Sequence, residues 1–121
     1  MFNKEESNAW FRTRLESLKF INEGFLLDLK NYSEGKISLN ELKKINEDYI
    51  QKISKYRKEF YLLYNYVSDD FSHYASLLKE ALENIYRVIV EVIPNARNDF
   101  FARSEISTRL KKAEIVFTSI K

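Results

Sequence analysis

Hydrophobic residues recur at three- and four-residue steps along most of this chain. In the first segment, over about residues 7–32, the repeating apolar positions are Phe11, Leu15, Leu18, Phe25, Leu29 and Tyr32. These steps place the side chains on one face of a helix, in the heptad pattern typical of helices that pack on other helices. We therefore predict a first helix over residues 7–32, followed by a loop at 33–36 in which Gly35 suits a left-handed helix end.

The second segment opens with a helix-start motif. Ser38 stands at the N-cap position and Glu41 follows three residues later, which is the capping-box pattern. The apolar positions that follow are Leu42, Ile45, Tyr49, Ile53, Tyr56, Phe60, Leu63 and Val67. This is the most regular helical spacing in the chain, and it predicts a second long helix from residue 38 to about residue 67.

Residues 68–70 decide whether that helix stops or continues. Ser68, Asp69 and Asp70 are good N-cap residues. The apolar spacing nevertheless runs on in phase through Phe71, Tyr74, Leu78, Leu82, Ile85, Ile89 and Val92. A single helix over residues 38–93 would be about 84 Å long, and a lone chain of this size could not cover it. We predict a turn at 68–70, with the continuous rod, which would need a partner chain, as the alternative.

The last part of the chain predicts one more helix. Pro94 ends the third segment, and Asn95 or Asn98 is expected to cap the fourth. The apolar face of the fourth segment comprises Ile106, Leu110, Ala113, Phe117 and Ile120. A small sheet formed by residues 88–93 and 114–120, which are rich in β-branched residues, is the alternative. The favoured fold is a single all-α domain over residues 1–121, a bundle of three or four long antiparallel helices that could also self-associate like a coiled coil.

Composition excludes several kinds of chemistry. The 121 residues include no cysteine, one histidine (His73) and two glycines. Disulfides, thiol nucleophiles, thiolate zinc sites and glycine-rich phosphate loops are therefore excluded. The paired carboxylates Glu80 and Glu83 suggest a metal-dependent nucleotide hydrolase, but only Glu47–Asp48 could supply the second acidic pair. We expect no catalytic residue, no metal and no cofactor, and keep the hydrolase as a second alternative.

The chain also lacks the marks of a membrane or secreted protein. Its first residues carry charges where a signal peptide would be apolar, and no apolar run approaches the roughly 18 residues of a membrane span. We expect a soluble, cytoplasmic protein that does not enter a membrane. Lysine, isoleucine and asparagine are abundant, a composition that indicates an AT-rich genome such as that of a low-GC bacterium, its phages or its plasmids.

Some large apolar residues lie off the predicted core faces, and these are the candidate partner-binding residues. They are Phe20, Leu27, Tyr61, Leu62 and Tyr66. A helix that is apolar nearly all round, as residues 60–67 are, must be covered either by another helix of the same chain or by a partner. Tyrosine and phenylalanine are residue types enriched at protein–protein interfaces.

Basic residues concentrate in two segments although the net charge is only +2. One group is Lys52, Lys55, Arg57 and Lys58; the other is Arg103, Arg109, Lys111 and Lys112. These groups are expected to attract the acidic third segment within the bundle. Alternatively, together with neighbouring tyrosines, they would form a nucleic-acid-binding face.

The sequence therefore favours a small non-catalytic binding protein that acts on a protein partner. An inhibitor, immunity factor or assembly regulator of a phage or another mobile element fits this size and composition. Self-association into a homo-oligomer is an open expectation. A nucleic-acid-binding regulator is the first alternative.

Overall fold

The computed structural model describes residues 4–64, 69–97 and 100–119, and the side chains at 5–6, 9–64, 75–97 and 103–118. Four α-helices account for most of it: α1 (Lys4–Ser33), α2 (Leu39–Leu63), α3 (Asp69–Arg87) and α4 (Phe100–Ser119). Helix α3 continues into a π-helical segment, Val88–Val92. The predicted all-α bundle is confirmed. The small-sheet alternative is wrong, since residues 88–92 are π-helical and residues 114–119 are α-helical.

Side-chain contacts between helices show how the chain folds back on itself. The ring centroids of Phe11 and Phe60 are 5.1 Å apart, and those of Phe25 and Tyr49 are 5.2 Å apart. Later residues of α1 therefore meet earlier residues of α2, so the two helices are antiparallel.

Helices α2 and α3 are antiparallel as well. Asn46 of α2 contacts Ile89, which follows α3, whereas Arg57 contacts Glu83 within α3. The chain must reverse between these two helices, so the continuous rod is wrong and a break between α2 and α3 is confirmed, although Asp69 and Asp70 of the predicted turn already belong to α3. Part of the predicted break, Ser68, lies outside the described residues.

Helix α4 completes the bundle. It packs against α1, where the Asn22 side-chain amide donates to the Leu110 carbonyl at 3.2 Å, and against α3. Helix α2 also lies between α1 and α3. Helices α2 and α4 therefore occupy opposite corners of the bundle, and their outer faces point in different directions.

The predicted apolar faces form the core between the four helices. Phe11, Ile53, Ile85 and Leu110 are completely buried. Predicted members that are only half-buried are Leu15, Ile45, Tyr49 and Val92. Val67, Phe71, Tyr74 and Ile120 lie outside the described side chains. At about 25 cal/mol per Å² of buried apolar surface, this core is the main source of stability.

The α1–α2 connection follows its local sequence. Gly35 has φ 75°, the left-handed conformation that glycine adopts without a Cβ clash. The Ser38 hydroxyl accepts from the Glu41 backbone N–H at 3.1 Å, and the Glu41 carboxylate accepts from the Ser38 N–H at 3.4 Å. Both halves of the predicted capping box are therefore present.

The end of the third segment depends on a residue from another helix. In the π-helical segment the Ile93 N–H donates to the Val88 carbonyl at 2.9 Å, five residues back. The next donor in that register would serve the Ile89 carbonyl, but Pro94 has no N–H. Instead, the Asn46 side-chain amide, 1% exposed, donates to Ile89 O at 2.8 Å. A buried asparagine of α2 thus supplies the donor that Pro94 cannot.

The prediction that Asn95 caps the fourth helix is wrong. Helix α4 begins at Phe100, and the Asn95 side-chain amide instead donates back to the Glu91 carbonyl at 2.7 Å. Asn95 therefore supplies a hydrogen-bond donor to a backbone carbonyl at the end of the preceding helical segment. The other candidate cap, Asn98, lies outside the described residues.

Candidate functional site

Four of the five predicted partner-binding residues are exposed. Phe20 is 75% exposed, Leu62 65%, Leu27 58% and Tyr61 39%. Tyr66 lies outside the described residues. Each of the four projects from a helix whose opposite face is already buried in the core, so none is needed to fill the interior of the bundle.

The four residues do not form one continuous surface. The Trp10 indole N–H donates to a Glu59 carboxylate oxygen at 3.3 Å, which places the end of α2 beside the start of α1. Phe20 is ten residues further along α1, a distance of about 15 Å at 1.5 Å per residue. Phe20 and Leu27 therefore belong to the outer face of α1, and Leu62 to the far end of α2.

Leu62 belongs to a row of exposed residues along α2. Gln51, Lys55, Lys58 and Leu62 follow one another at steps of four, three and four, and all are exposed. We call these four residues the Leu62 row. It presents one large apolar side chain next to two cationic ones, and the groove beside it is lined by Ser54, Arg57, Tyr61 and Tyr86.

Arg57 and Tyr61 are held within that groove by Glu83 of α3. Arg57 Nε and Tyr61 Oη both donate to the same Glu83 oxygen, each at 2.8 Å. The Arg57 guanidinium also lies 4.5 Å from the Tyr86 ring centroid and 5.1 Å from that of Tyr61. The charge of Arg57 is thus matched inside the protein, as expected for attraction between α2 and the acidic third segment.

This cluster shifts two pKa values upward. The hydrogen bond to Glu83 raises the pKa of Arg57. Burial is the main cause of the raised pKa of Tyr61, and the hydrogen bond to Glu83 is the next. Both groups keep their protons throughout the physiological range. The cluster therefore fixes the wall of the groove, and it does not provide an acid or base poised near neutral pH.

The lysines of the first basic group are more open than Arg57. Lys55 Nζ is 3.9 Å from a Glu59 oxygen and its side chain is 73% exposed. Lys52 lies 5.9 Å from the Tyr56 ring centroid, and both Lys52 and Lys58 are exposed. A surface ion pair this long and this exposed is worth little, so the lysine charges are available to an approaching anionic partner.

The second basic group lies elsewhere and is partly used by the fold. Arg109 Nε donates to Glu105 Oε1 at 2.6 Å, and the Arg103 guanidinium lies 5.9 Å from the Tyr32 ring centroid. Lys111 and Lys112 are exposed on α4. Because α2 and α4 occupy opposite corners, the two basic groups do not join into one basic surface.

The metal-dependent hydrolase alternative depends on carboxylates that lie close together in the described part of the chain. No group of three or more histidine, cysteine or carboxylate side chains lies close enough to hold a metal ion within those residues. Glu83, one of the two predicted metal-binding carboxylates, is committed to Arg57 and Tyr61. The His73 side chain is outside the described set. Over the same residues, no helix has an apolar stretch that could cross a membrane.

Ile115 is an exposed apolar residue that the sequence analysis missed. It is 64% exposed on α4. Its position, five residues after Leu110 and two before Phe117, places it off the inner face of that helix. The predicted apolar face of the fourth segment leaves Ile115 out, but Ile115 was not named among the exposed candidates either. Ile115 matches Leu62 in exposure and therefore makes a useful control.

Comparison with known proteins adds no further constraint. No protein family, curated protein or solved structure was found to match this chain. What the chain does must therefore be inferred from its own surfaces.

Proposed function

We propose that this chain is a non-catalytic binding protein that acts through contact between the Leu62 row and a protein partner. The observation that carries the proposal is a leucine, 65% exposed, beside two exposed lysines on a helix whose inner face is fully packed. An exposed leucine alone is ordinary. Leu62 shares its row with Lys55 and Lys58, and Tyr61 beside it is fixed by Glu83, so the row offers an exposed apolar side chain with a charged margin, and interfaces have such a polar rim.

The partner that this row fits is an acidic protein surface with an apolar pocket. Lys55 and Lys58 would attract its carboxylates and speed the encounter. Leu62 would then enter the pocket, while Tyr61, already held by Glu83 at 2.8 Å, would need no further ordering. Binding would block or organise that partner, as an inhibitor, immunity factor or assembly regulator does. The proposal also includes an origin in a phage or another mobile element, and this part rests on the amino-acid composition alone.

A nucleic-acid partner is the competing proposal for the same lysines. Its support is the set of exposed lysines along α2 together with one exposed tyrosine, Tyr61. Against it stand the internal pairing of Arg57 and the separation of the two basic groups on opposite corners. Salt distinguishes the two, because a DNA duplex bound by Lys52, Lys55 and Lys58 would lose about 40-fold in affinity between roughly 50 and 200 mM salt, at a slope of about 0.9 per phosphate contact.

The test uses a matched pair of variants. The wild-type chain, Leu62→Asp and Ile115→Asp are used to capture proteins from a nuclease-treated lysate of the encoding organism. A protein retained by wild type is then purified, and its affinity for all three chains is measured by calorimetry. We expect Ile115→Asp to bind like wild type and Leu62→Asp to bind at least about 30-fold more weakly, the loss typical of an interface hot spot.

Two results would overturn the proposal. One is equal binding of Leu62→Asp and wild type to the purified partner. The other is retention of nucleic acid from a lysate that has not been treated with nuclease, when that retention is lost in the double variant Lys55→Glu with Lys58→Glu and weakened by salt. Circular dichroism on each variant establishes that the helices remain intact.

A further inference from the structure

Helix α1 carries a second heptad row on its outer face. Thr13, Ser17, Phe20, Gly24, Leu27 and Asn31 follow one another at steps of four, three, four, three and four. We call these six residues the outer seam. Phe20 is 75% exposed and Leu27 58% exposed, so the large members of the seam are uncovered within the chain. Heptad spacing is the pattern by which one helix packs along another.

Gly24 lies in the middle of the seam without an evident role in the fold. It is an exposed position in the interior of a helix, where glycine is disfavoured. A Cβ at Gly24 would meet nothing within 4 Å. Unlike Gly35, Gly24 does not have a positive φ. Neither a turn nor close packing inside the chain requires this glycine, but its lack of a side chain would let a second helix approach closely.

The small polar members of the seam are compatible with close packing. The Ser17 hydroxyl donates to the Thr13 carbonyl at 3.3 Å, and the Thr13 hydroxyl donates to the Ala9 carbonyl at 2.9 Å. Both hydroxyls are therefore satisfied by their own helix. Covering them would leave no donor without an acceptor.

The sizes of the seam residues complement one another when two copies meet antiparallel. Large residues (Phe20 and Leu27) alternate with small ones (Ser17 and Gly24). With a two-fold axis near residue 22, Phe20 of each copy faces Gly24 of the other, and Leu27 faces Ser17. A parallel pair would instead place Phe20 on Phe20 and Gly24 on Gly24, which leaves a bulge and a gap.

The charges beside the seam favour the same arrangement. Glu16, Glu23 and Lys30 flank it at seven-residue intervals. In the antiparallel pair, Glu16 of each copy lies near Lys30 of the other, which gives two attractive contacts related by the two-fold axis. The two copies of Glu23 would face each other near the axis, and this single repulsion limits the affinity.

From these observations we propose that the outer seam binds a second copy of this chain, antiparallel, about a two-fold axis near residue 22. The proposal is independent of the proposed function, because the outer seam lies on α1 and the Leu62 row on α2, and the two surfaces share no residue. A substitution in the outer seam should therefore weaken only the dimer, and a substitution in the Leu62 row should weaken only partner binding.

Disulfide trapping tests the geometry directly, since the chain has no cysteine of its own. The antiparallel axis places Thr13 of one copy opposite Asn31 of the other. Thr13→Cys and Asn31→Cys chains carrying tags of different size are mixed and mildly oxidised. We expect the mixed species to dominate. Dominance of the Thr13→Cys homodimer would indicate a parallel pair, and absence of any disulfide would rule out the seam; both results overturn the proposal.

Sedimentation velocity tests the energetics over a range of concentrations. We expect wild type and Leu62→Asp to reach twice the chain mass, and Phe20→Asp to remain at the monomer mass. Gly24→Leu should also be monomeric, and because leucine favours a helix more than glycine does, misfolding cannot explain that result. Glu16→Lys and Lys30→Glu should each weaken the dimer at least about 5-fold, and the double variant should restore it.

The proposal fails if wild type is monomeric at every concentration, or if Phe20→Asp and Gly24→Leu dimerise as wild type does. Failure of the dimer proposal would not contradict the function proposed for the Leu62 row. Conversely, a dimer that is lost in Phe20→Asp and Gly24→Leu but kept in Leu62→Asp, together with partner binding that does not depend on Leu62, would support the seam and overturn the proposed function.

Discussion

Helix α1 presents two heptad rows of similar spacing that meet opposite environments. Three large members of the inner row, Phe11, Leu18 and Phe25, are at most 2% exposed. Phe20 and Leu27 of the outer seam are exposed to solvent. The same periodicity thus describes a face that the chain covers itself and a face that it leaves open. Spacing predicts that a face can pack, and only the position of the other helices shows whether it does.

The largest expected contrast between the two rows is in folding stability. Phe25→Ala would remove a ring that packs 5.2 Å from Tyr49 in the core, at a cost of about 3–5 kcal/mol of unfolding free energy. Leu27→Ala on the outer seam should change stability by no more than about 0.5 kcal/mol. Urea unfolding at low protein concentration measures both. Equal losses would remove the distinction between the rows.

The second-largest expected loss of unfolding free energy comes from breaking the buried hydrogen bond between Asn46 and the Ile89 carbonyl. Asn46→Ala would leave the Ile89 carbonyl buried without a donor, which costs about 1–3 kcal/mol. Asn40→Ala, at an exposed position of the same helix, is the control and should be nearly neutral. A loss equal to that of the control would mean that Asn46 does not support the π-helical end of the third segment.

The two glycines should respond with opposite signs. Gly24→Ala is expected to raise stability by about 0.5–1 kcal/mol, because the new Cβ meets nothing and alanine favours a helix. Gly35→Ala should lower stability by roughly 1 kcal/mol, since φ 75° is strained for a residue with a Cβ. Thermal unfolding of both variants checks this. A destabilising Gly24→Ala would show that the outer seam is constrained within the monomer.

The smallest effect concerns a half-buried carboxylate of α1 and depends on pH. Burial raises the pKa of Asp28 above its ordinary value. The folded chain therefore holds this proton more tightly than the unfolded chain, and stability falls as the pH rises through the folded pKa. Asp28→Asn should be more stable than wild type at neutral pH, with the gain disappearing below about pH 3.9. An equal difference at both pH values would contradict this assignment.

Local patterns predicted the helices well because each depends on a few neighbouring residues. The Ser38–Glu41 capping box and the left-handed Gly35 are complete within one turn of chain. The inner faces likewise follow from three- and four-residue steps. Because the chain has no cysteine and only two glycines, its sequence alone excluded thiol nucleophiles, thiolate zinc sites and glycine-rich phosphate loops.

The remaining features depend on which helices become neighbours. Of the two predicted caps of the fourth helix, Asn98 lies outside the described residues, and Asn95 is not the cap, since its side chain donates to Glu91 O instead. The donor to Ile89 O comes from Asn46, 43 residues away, which no local pattern indicates. Four of the five candidate partner-binding residues are exposed, and Tyr66 lies outside the described residues. The antiparallel arrangement of the helices was predicted, but sequence spacing does not show how far Phe20 lies from Leu62 along the bundle.

The central claim is that the outer apolar side chains serve binding and not folding. The most direct test is equilibrium urea unfolding, at a concentration where the chain is monomeric, of the double variant Phe20→Gln with Leu62→Gln. Glutamine keeps a good helix propensity, so we expect an unfolding free energy within about 0.5 kcal/mol of wild type. A loss of about 2 kcal/mol or more, comparable to truncation in the core, would show that these residues stabilise the monomer and would contradict the claim.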